Sequence, residues 1–445
     1  MNIVTRIAPS PTGQMHIGTV RTALFNYLFA KKHGGTYFVR IEDTDKERNK
    51  PEWTAAIWSD FDWVGLPPDK KYVTSEHLAR HVELLKKIVA EGKAYVSKEP
   101  AKDDPTKEVE VVRLKNAGTS VTFDDLIRGT VTFDTAELGD FVIARAIDDP
   151  LYHFAVVVDD GDAGVTHVIR AEEHLSNTPR QILILEALGF PRPIYAHIPL
   201  ILAPDRSKLS KRKHAASVDI YRDKGYLPEA MINYLALLGW NPGTEQELFT
   251  MDELIKEFSL EKVQHSGAIF DEVKLKWFNR EYMLKMSVDE FRGYAKKFVT
   301  PETAALLDGP MGDGLVGVMR ERASTFGDIR DAEAAGEYAY FVAPPTPTPE
   351  SLVWKAETPE ATKGRLEAIL GLLKGFSGPE WSSAAIKEAL WSYAESEGRG
   401  QVLWPMRVAL SGREKSPDPF VIAAILGKDE TLTRLQRAAD TVAAT

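Results

Sequence analysis

The sequence predicts an α/β fold built on a parallel sheet, followed by a mainly helical second half. Three observations predict it. The chain opens as strand, helix, strand; strand and helix alternate again after a valine-rich interruption; and helical patterning dominates from about Asp219 onward. At 445 residues the chain is longer than one hydrophobic core usually supports, so two or more packed units are expected.

In order, Ile3 to Ile7 is a short β-prone run and APSPTGQM the loop after it. From His16 to about Lys32, Ile17, Val20, Leu24, Phe25, Leu28 and Phe29 recur at helical spacing. Gly34 and Gly35 stop that helix, and Thr36 to Ile41 is a second strand. Such βαβ units build parallel sheets whose ligands sit at the carboxyl ends of the strands. Leu78 to Gly92 is an amphipathic helix, and SKEPAKDDPTKEVE reads as a polar break. Valine-rich runs between about Val109 and Ala146 suggest a small antiparallel insertion, and Tyr152 to Val158 reads as an apolar strand. Pro179 to Leu188 is helical and Ile194 to Leu202 extended. In the helical half, PPTPTPE at 344–350 is a loop or short linker, and there is no internal repeat.

The composition is that of an ordinary globular protein, 44% hydrophobic and 27% charged. No apolar run is long enough to span a bilayer and MNIVTRIAPSPTG lacks the marks of a signal peptide, so a cytoplasmic address without a membrane is expected. There are no cysteines, which excludes disulfides, thiolate zinc sites and a cysteine nucleophile. A net charge of -10 argues against indiscriminate nucleic-acid binding, although local basic patches remain able to hold phosphates.

Two segments carry phosphate chemistry. In the first, prolines stiffen the loop before His16, Gly13 permits a tight turn, and the helix start offers unpaired N–H groups and positive dipole. His16 adds a donor, and Gly18, without a β-carbon, lets a nucleotide approach the backbone. The chain has neither a P-loop nor a GxGxxG fingerprint. The second segment, Asp205 to His214, concentrates basic side chains on an acidic chain, as a loop handling polyphosphate requires, whereas a solvated charge run is the ordinary alternative.

HisIleGlyThr after PSPTG, together with KLSKR at 208–212, resembles the two signature motifs of class I aminoacyl-tRNA synthetases. The flanking words TRIAPSPTG, ALFNYLFA, VRIEDTD, VVDD with GVTHVIRAEEHLSNTP, LPEAMINYLALLGW, PMRVALSG and ILGK are similar to bacterial-type glutamyl-tRNA synthetases and span nearly the whole chain.

The resemblance implies a Rossmann-like catalytic domain in two halves, 1–95 and 151–218, the latter with the KLSKR loop, around a short inserted acceptor-binding domain at 96–150. A helical stem-contact domain at 219–305 and an all-α anticodon-binding domain at 306–445 follow. It implies ATP-dependent activation of L-glutamate and transfer to the 3′-terminal adenosine of tRNA(Glu), with Mg2+ on the phosphates, no zinc, and a monomeric state. Catalysis would then be positioning and charge stabilisation. His16, Gly18 and Thr19 would serve the nucleotide, with Lys208, Leu209, Ser210 and Lys211 from the loop. Arg6, Ala8, Ser10, Glu42, Tyr152 and Arg170 would bind glutamate, the arginines meeting carboxylates and Glu42 the ammonium. Taken singly, Arg170 could equally be an ion pair with Glu172 or Glu173, and Tyr152 a core aromatic. Arg322, Arg407, Ser416, Pro417 and Phe420 fall where relatives touch anticodon nucleotides, Arg322 being the position for choosing between anticodons ending in C and G.

Two departures stand out. Val156 occupies a position where many relatives carry an asparagine that holds the amino acid, and the 96–150 insertion is short and has no cysteine for the zinc some relatives bind there. Three rivals remain on the sequence alone. A glutaminyl enzyme is disfavoured by the helical last third, and a queuosine-modifying paralogue by the length of that third. A non-catalytic tRNA-binding paralogue is disfavoured by the survival of His16, Gly18, Lys208 and Lys211. The same resemblance also covers a non-discriminating form that charges tRNA(Gln) as well.

Overall fold

The computed structural model of the chain describes residues 2–45, 47–101, 104, 106–210, 216–378 and 380–443. The chain divides into two compact units. The first holds residues 1–223 and 227–278, the second residues 224–226 and 279–445.

The first unit opens with β1 (Val4–Ile7), α1 (Ile17–Lys32), β2 (Thr36–Ile41), α2 (Pro51–Trp63), β3 (Lys70–Val73) and α3 (Leu78–Ala90). A mainly antiparallel stretch follows: β4 (Ala94–Pro100), β5 (Glu108–Leu114), β6 (Ser120–Asp125), β7 (Gly129–Asp134), β8 (Phe141–Ala146) and β9 (Asp149–Pro150). Alternation then resumes with α4 (Tyr152–Asp162), β10 (His167–Ala171), α5 (Thr178–Leu188), β11 (Ile194–Ile198) and β12 (Ile201–Leu202). Next come α6 (Val218–Asp223), α7 (Pro228–Leu237), α8 (Met251–Glu257), β13 (Ala268–Ile269) and α9 (Glu272–Lys285), within which the boundary between units falls.

Strand β2 pairs in parallel with both β1 and β3, and β10 with β11. Thr166, just before β10, joins the two groups: its N–H donates to the Val4 carbonyl at 3.0 Å and its hydroxyl accepts the Val4 N–H at 2.9 Å. The order β3-β2-β1-β10-β11 reverses direction between β1 and β10, and in doubly wound sheets such a switch point opens a crevice at the strands' carboxyl ends. Helix α1 packs against this sheet so thoroughly that Ile17, Val20, Leu24, Phe25 and Leu28 are all fully buried. Its end is fixed by Gly34 at φ 63° and by Gly35, where a β-carbon would lie 2.4 Å from the Ile3 carbonyl oxygen.

Two readings of the sequence are corrected. Tyr152 to Val158 is not a strand but the first turns of α4. Phe154, Val157 and Val158 sit in a core cluster with Leu84, Leu85, Ile184 and Leu185, and a short apolar run buried on several sides shows neither period. The polar break after α3 is a hairpin: β4 and β5 pair antiparallel from Ala94–Leu114 to Pro100–Glu108, with alternate side chains of β4 in solvent. Charged residues suit such a half-exposed pair. The valine-rich stretch is also split. β4, β5, β8 and β9 form one sheet, whereas the β6–β7 hairpin joins the parallel sheet through Asp125 beside Tyr195 on β11.

The second unit is helical throughout its described residues after the end of α9: α10 (Val288–Ala295), α11 (Pro301–Leu307), α12 (Gly312–Arg322), α13 (Phe326–Ala334), α14 (Ala339–Val342), α15 (Pro349–Leu352), α16 (Pro359–Lys374), α17 (Ser383–Glu397), α18 (Arg399–Ser411), α19 (Pro419–Leu426) and α20 (Lys428–Ala443). Local sequence sets four of these starts in one way. Thr300, Thr348, Thr358 and Asp418 each cap a helix through the side-chain oxygen, and each is followed by proline at the first helical position. The missing proline N–H costs nothing there. Two of these caps lie within or just after the proline-rich loop at 344–350.

Candidate functional site

The carboxyl ends of β1, β2 and β10 open on a cavity of about 620 Å³ in the first unit. From the β1–α1 junction it receives Arg6, Ala8, Ser10, His16, Gly18 and Thr19; from the end of β2, Glu42; from α4, Tyr152 and Val156; from β10, Arg170. Lys208, Leu209 and Ser210 close it from the far side. Two segments almost two hundred residues apart in sequence therefore share one cleft. Lys211 and the rest of 211–215 lie outside the described residues.

Backbone bonds pin both flanks of that loop. Upstream, the Leu209 N–H donates to the Ile201 carbonyl at 3.2 Å, and Ala203 and Ser207 close a turn at 2.8 Å with Arg206 at φ 63°. Downstream, the Ile17 N–H donates to the Ala216 carbonyl at 2.9 Å and the Val218 N–H to the Met15 carbonyl at 3.0 Å. The start of α1 is thus stitched to the strand of chain that leaves the lysine-rich loop. His16 caps α1, its Nδ1 accepting the Gly18 N–H at 2.9 Å, so that the ring proton resides on Nε2. A β-carbon at Gly18 would lie 3.0 Å from that Nδ1, so this glycine spares the imidazole as well as any nucleotide.

The amino-acid end is richer in buried charge than the sequence suggested. Arg6 is 4% exposed and gives Nε and Nη2 to Asp160, both at 3.1 Å to Oδ2. Asp160 also takes Nη1 of the fully buried Arg40. Its neighbour Asp159 accepts from Thr74 Oγ1 at 3.0 Å and meets His81 Nε2 at 2.6 Å. Burial disfavours the Asp160 anion, yet Arg6 and Arg40 hold its carboxyl below the usual range.

Glu42 stands in front of this group without a side-chain hydrogen bond to the described protein. Burial first, then Asp159 and Asp160, push its carboxyl up to about 7 against the pull of Arg40 and Arg6. Arg170 is buried with neutral partners only. It donates to His197 Nε2 at 3.1 Å, Gln181 Oε1 at 2.7 Å and Thr178 Oγ1 at 2.8 Å. The ordinary ion pair is excluded, because Glu172 takes Arg128 and the Leu200 N–H, while Glu173 takes Lys208. Desolvation lowers the Arg170 guanidinium to about 10. Tyr152 is half in the core cluster and half in the cavity, and Val156 contributes only packing.

Asp159, Asp160, Arg40 and the buried Arg21, which donates Nη1 to the Leu238 carbonyl at 3.1 Å, were missed by sequence reasoning. A pair of adjacent aspartates inside an apolar run was the available signal for the first two. Among the described residues no cluster of His, Asp and Glu is arranged to hold a metal ion.

The second unit carries a cleft of about 530 Å³ lined by Arg322, Arg399, Arg407, Lys415 and Ser416 together with Trp354 and Trp404. The two indoles sit 4.8 Å apart at 52°. Arg407 Nη1 donates to the Ser416 carbonyl at 2.7 Å, its hydroxyl at 2.9 Å and the Pro417 carbonyl at 2.7 Å, fixing the turn before α19. Arg322 pairs with Glu337 at 2.7 Å. Phe420 is 2% exposed, its ring packed into the core from the first turn of the apolar helix α19.

A switch-point cleft with a histidine-capped helix on one side and a lysine-bearing loop on the other defines the class I tRNA synthetases. The family model of the catalytic domain of class I tRNA synthetases (E and Q) matches residues 2–104 and 98–277, and an anticodon binding domain model matches 272–439. The chain is 39% identical to a glutamate–tRNA ligase of Moorella thermoacetica, over 98% of this chain and 97% of that protein. It is 38% identical to glutamate–tRNA ligase 1 of Acidithiobacillus ferrooxidans, over 99% of both. A crystal structure of a glutamate tRNA ligase from Elizabethkingia meningosepticum in complex with its amino acid superposes with a TM-score of 0.84 at 31% identity, covering 99% of this chain and all of that one. The chain belongs to the glutamate–tRNA ligase family of class I tRNA synthetases.

Proposed function

We propose that the chain activates L-glutamate with ATP and transfers it to the 3′-terminal adenosine of tRNA(Glu). The observation that supports this most directly is the single cavity that holds the α1 start, the Lys208–Ser210 flank and the Arg6, Glu42 and Arg170 group.

In this reading the glutamate α-carboxylate attacks the α-phosphorus of ATP, pyrophosphate leaves, and a ribose hydroxyl of the tRNA then takes the glutamyl group. His16 Nε2–H and Thr19 donate to phosphate oxygens, and the N-terminus of α1 adds its dipole. Lys208 and Lys211 balance the charge that develops on the leaving pyrophosphate, a task that matters most in the transition state. Glu42 receives the substrate ammonium, and Arg6 and Arg170 its carboxylates, with Ser10 and Tyr152 adding hydroxyls. Magnesium would be held by phosphate oxygens and water, a mode that needs no protein cage and would neutralise phosphate charge. Residues 96–150 would place the acceptor end, 219–305 the stem, and 306–445 the anticodon, where Arg322, Arg407, Ser416 and Pro417 act beside the aromatic faces of Trp354 and Trp404. A cytoplasmic monomer fits this role; no helix of the described residues is long and apolar enough to cross a membrane.

Glutamate-dependent ATP–pyrophosphate exchange in the presence of tRNA tests the proposal. Exchange with cognate tRNA supports it, and silence with that tRNA favours a non-catalytic paralogue. Charging assays on purified tRNA(Glu) and tRNA(Gln) decide whether the enzyme discriminates between them.

A further inference from the structure

The guanidinium of Arg170 has five N–H groups, and its three protein partners take one from each nitrogen. One N–H is left on each terminal nitrogen, enough for a carboxylate to accept from both. None of the three partners is an anion. The nearest carboxylate along the chain of bonds belongs to Asp125, whose Oδ2 lies 2.6 Å from His197 Nδ1, on the far side of the imidazole from Arg170.

Asp125 is held as an anion in spite of its burial, because His197 and the N–H groups of Ile127 at 2.9 Å and Arg128 at 2.8 Å all donate to it. An ionised Asp125 accepts only, so the imidazole proton sits on Nδ1 and the Nε2 lone pair faces the Arg170 Nε–H. Thr178, Gln181, His197 and Asp125 are each under 5% exposed, so the cage has no solvent to adapt it. It tethers the arginine through all three nitrogens without supplying a carboxylate, while Arg170 itself lines the cavity.

We propose that Asp125, His197 and Gln181 are positioning residues for amino-acid selection, holding Arg170 as a fork that takes the substrate's side-chain carboxylate and rejects the carboxamide of glutamine. The inference rests on the functional reading above, in which Arg170 meets a substrate carboxylate. A carboxamide offers one acceptor and turns its NH2 toward an N–H, which leaves buried donors facing each other. Neutral partners are essential to this: an anion in the cage would supply the charge that the substrate now supplies.

Gln181→Glu changes size very little and places a carboxylate where the Oε1 now is. Expected is a KM for glutamate raised about tenfold or more, with kcat and the KM for ATP nearly unchanged, and a smaller preference for glutamate over glutamine. Asp125→Asn presents an amide donor to His197 Nδ1, drives the proton to Nε2 against Arg170, and should raise the KM for glutamate in the same selective way. His197→Gln, which can accept the Nε–H, should retain affinity that His197→Phe loses. All are read in tRNA-dependent charging with glutamate and glutamine. If the variants lower kcat and both affinities together, or keep the parent's glutamate-to-glutamine ratio, the proposal is overturned. A parent chain that charges no glutamate would instead overturn the functional reading beneath it.

Discussion

The Nδ1 of His16 accepts the backbone N–H of Gly18 at 2.9 Å, so one side chain both caps α1 and faces the cavity. The two duties can be separated. His16→Asn keeps a good capping oxygen and should leave thermal stability nearly unchanged, whereas His16→Ala should cost about 1 kcal/mol. Both should lose most of the tRNA-dependent pyrophosphate exchange. Full activity in His16→Asn would assign the imidazole to the fold alone.

Asp160 lies between two buried guanidiniums. Asp160→Ala would leave Arg6 without its carboxylate and Arg40 with only Asp159, at 3.7 Å from its Nε. A loss of about 3–5 kcal/mol in denaturant unfolding is expected. A change under about 1 kcal/mol would show that water replaces the pair readily.

Glu42 supplies a pH dependence whose sign is fixed. Its carboxyl is pushed up to about 7, so it is an anion above that pH and neutral below. The KM for glutamate should therefore climb on going from about pH 8 to about pH 6, approaching tenfold per unit once Glu42 is protonated. His174, lowered to about 4 by burial and Arg170, stays neutral across the range. Glu42→Gln should raise the KM and flatten the profile; an unaltered slope in that variant would rule out Glu42 as the titrating group.

The lysines of the loop should behave unlike the residues around Glu42. Lys208→Ala and Lys211→Ala are expected to lower the activation rate by about 10- to 100-fold while glutamate affinity holds. Equal losses in rate and glutamate affinity would contradict a transition-state role. Glu173→Gln, which releases Lys208 from a solvent-exposed ion pair, should alter the KM for ATP by no more than about threefold.

Arg407 ties down the turn at Ser416 and Pro417 by three bonds from a single nitrogen. Arg407→Met removes these donors while keeping the side chain's length and should raise the KM for tRNA about tenfold with the KM for glutamate unchanged. A rise in both would mean that the variant disturbs more than the second unit's cleft.

The parts of this molecule that follow a period were readable in advance. Helix α1 and strand β2 fall where their spacing put them, and His16, Glu42, Arg170 and Lys208 meet in one cavity as their motifs implied. What escaped was set by tertiary surroundings. Helix α4 is apolar on several faces because α3, α5 and β8 enclose it, which erases the helical stripe. The β4–β5 hairpin looked like a linker because half of each strand is wet. Asp125 and His197 could not have been found at all, since their partnership spans seventy-two positions and neither belongs to a short motif. Phe420 was placed by likeness, and that likeness carried no information about the burial of its ring.

The anchoring of Leu209 to Ile201 and of Ala216 to Ile17 sets a leash on whatever lies between. Both anchors are backbone bonds, so they hold Lys208 at one flank of the cavity and the start of α1 at the other whatever side chains the neighbouring positions carry. Apart from Lys211, substitution between the two anchors should be tolerated far better than a change in the number of residues there. A two-residue insertion there would slacken the leash while leaving every pinned bond in place.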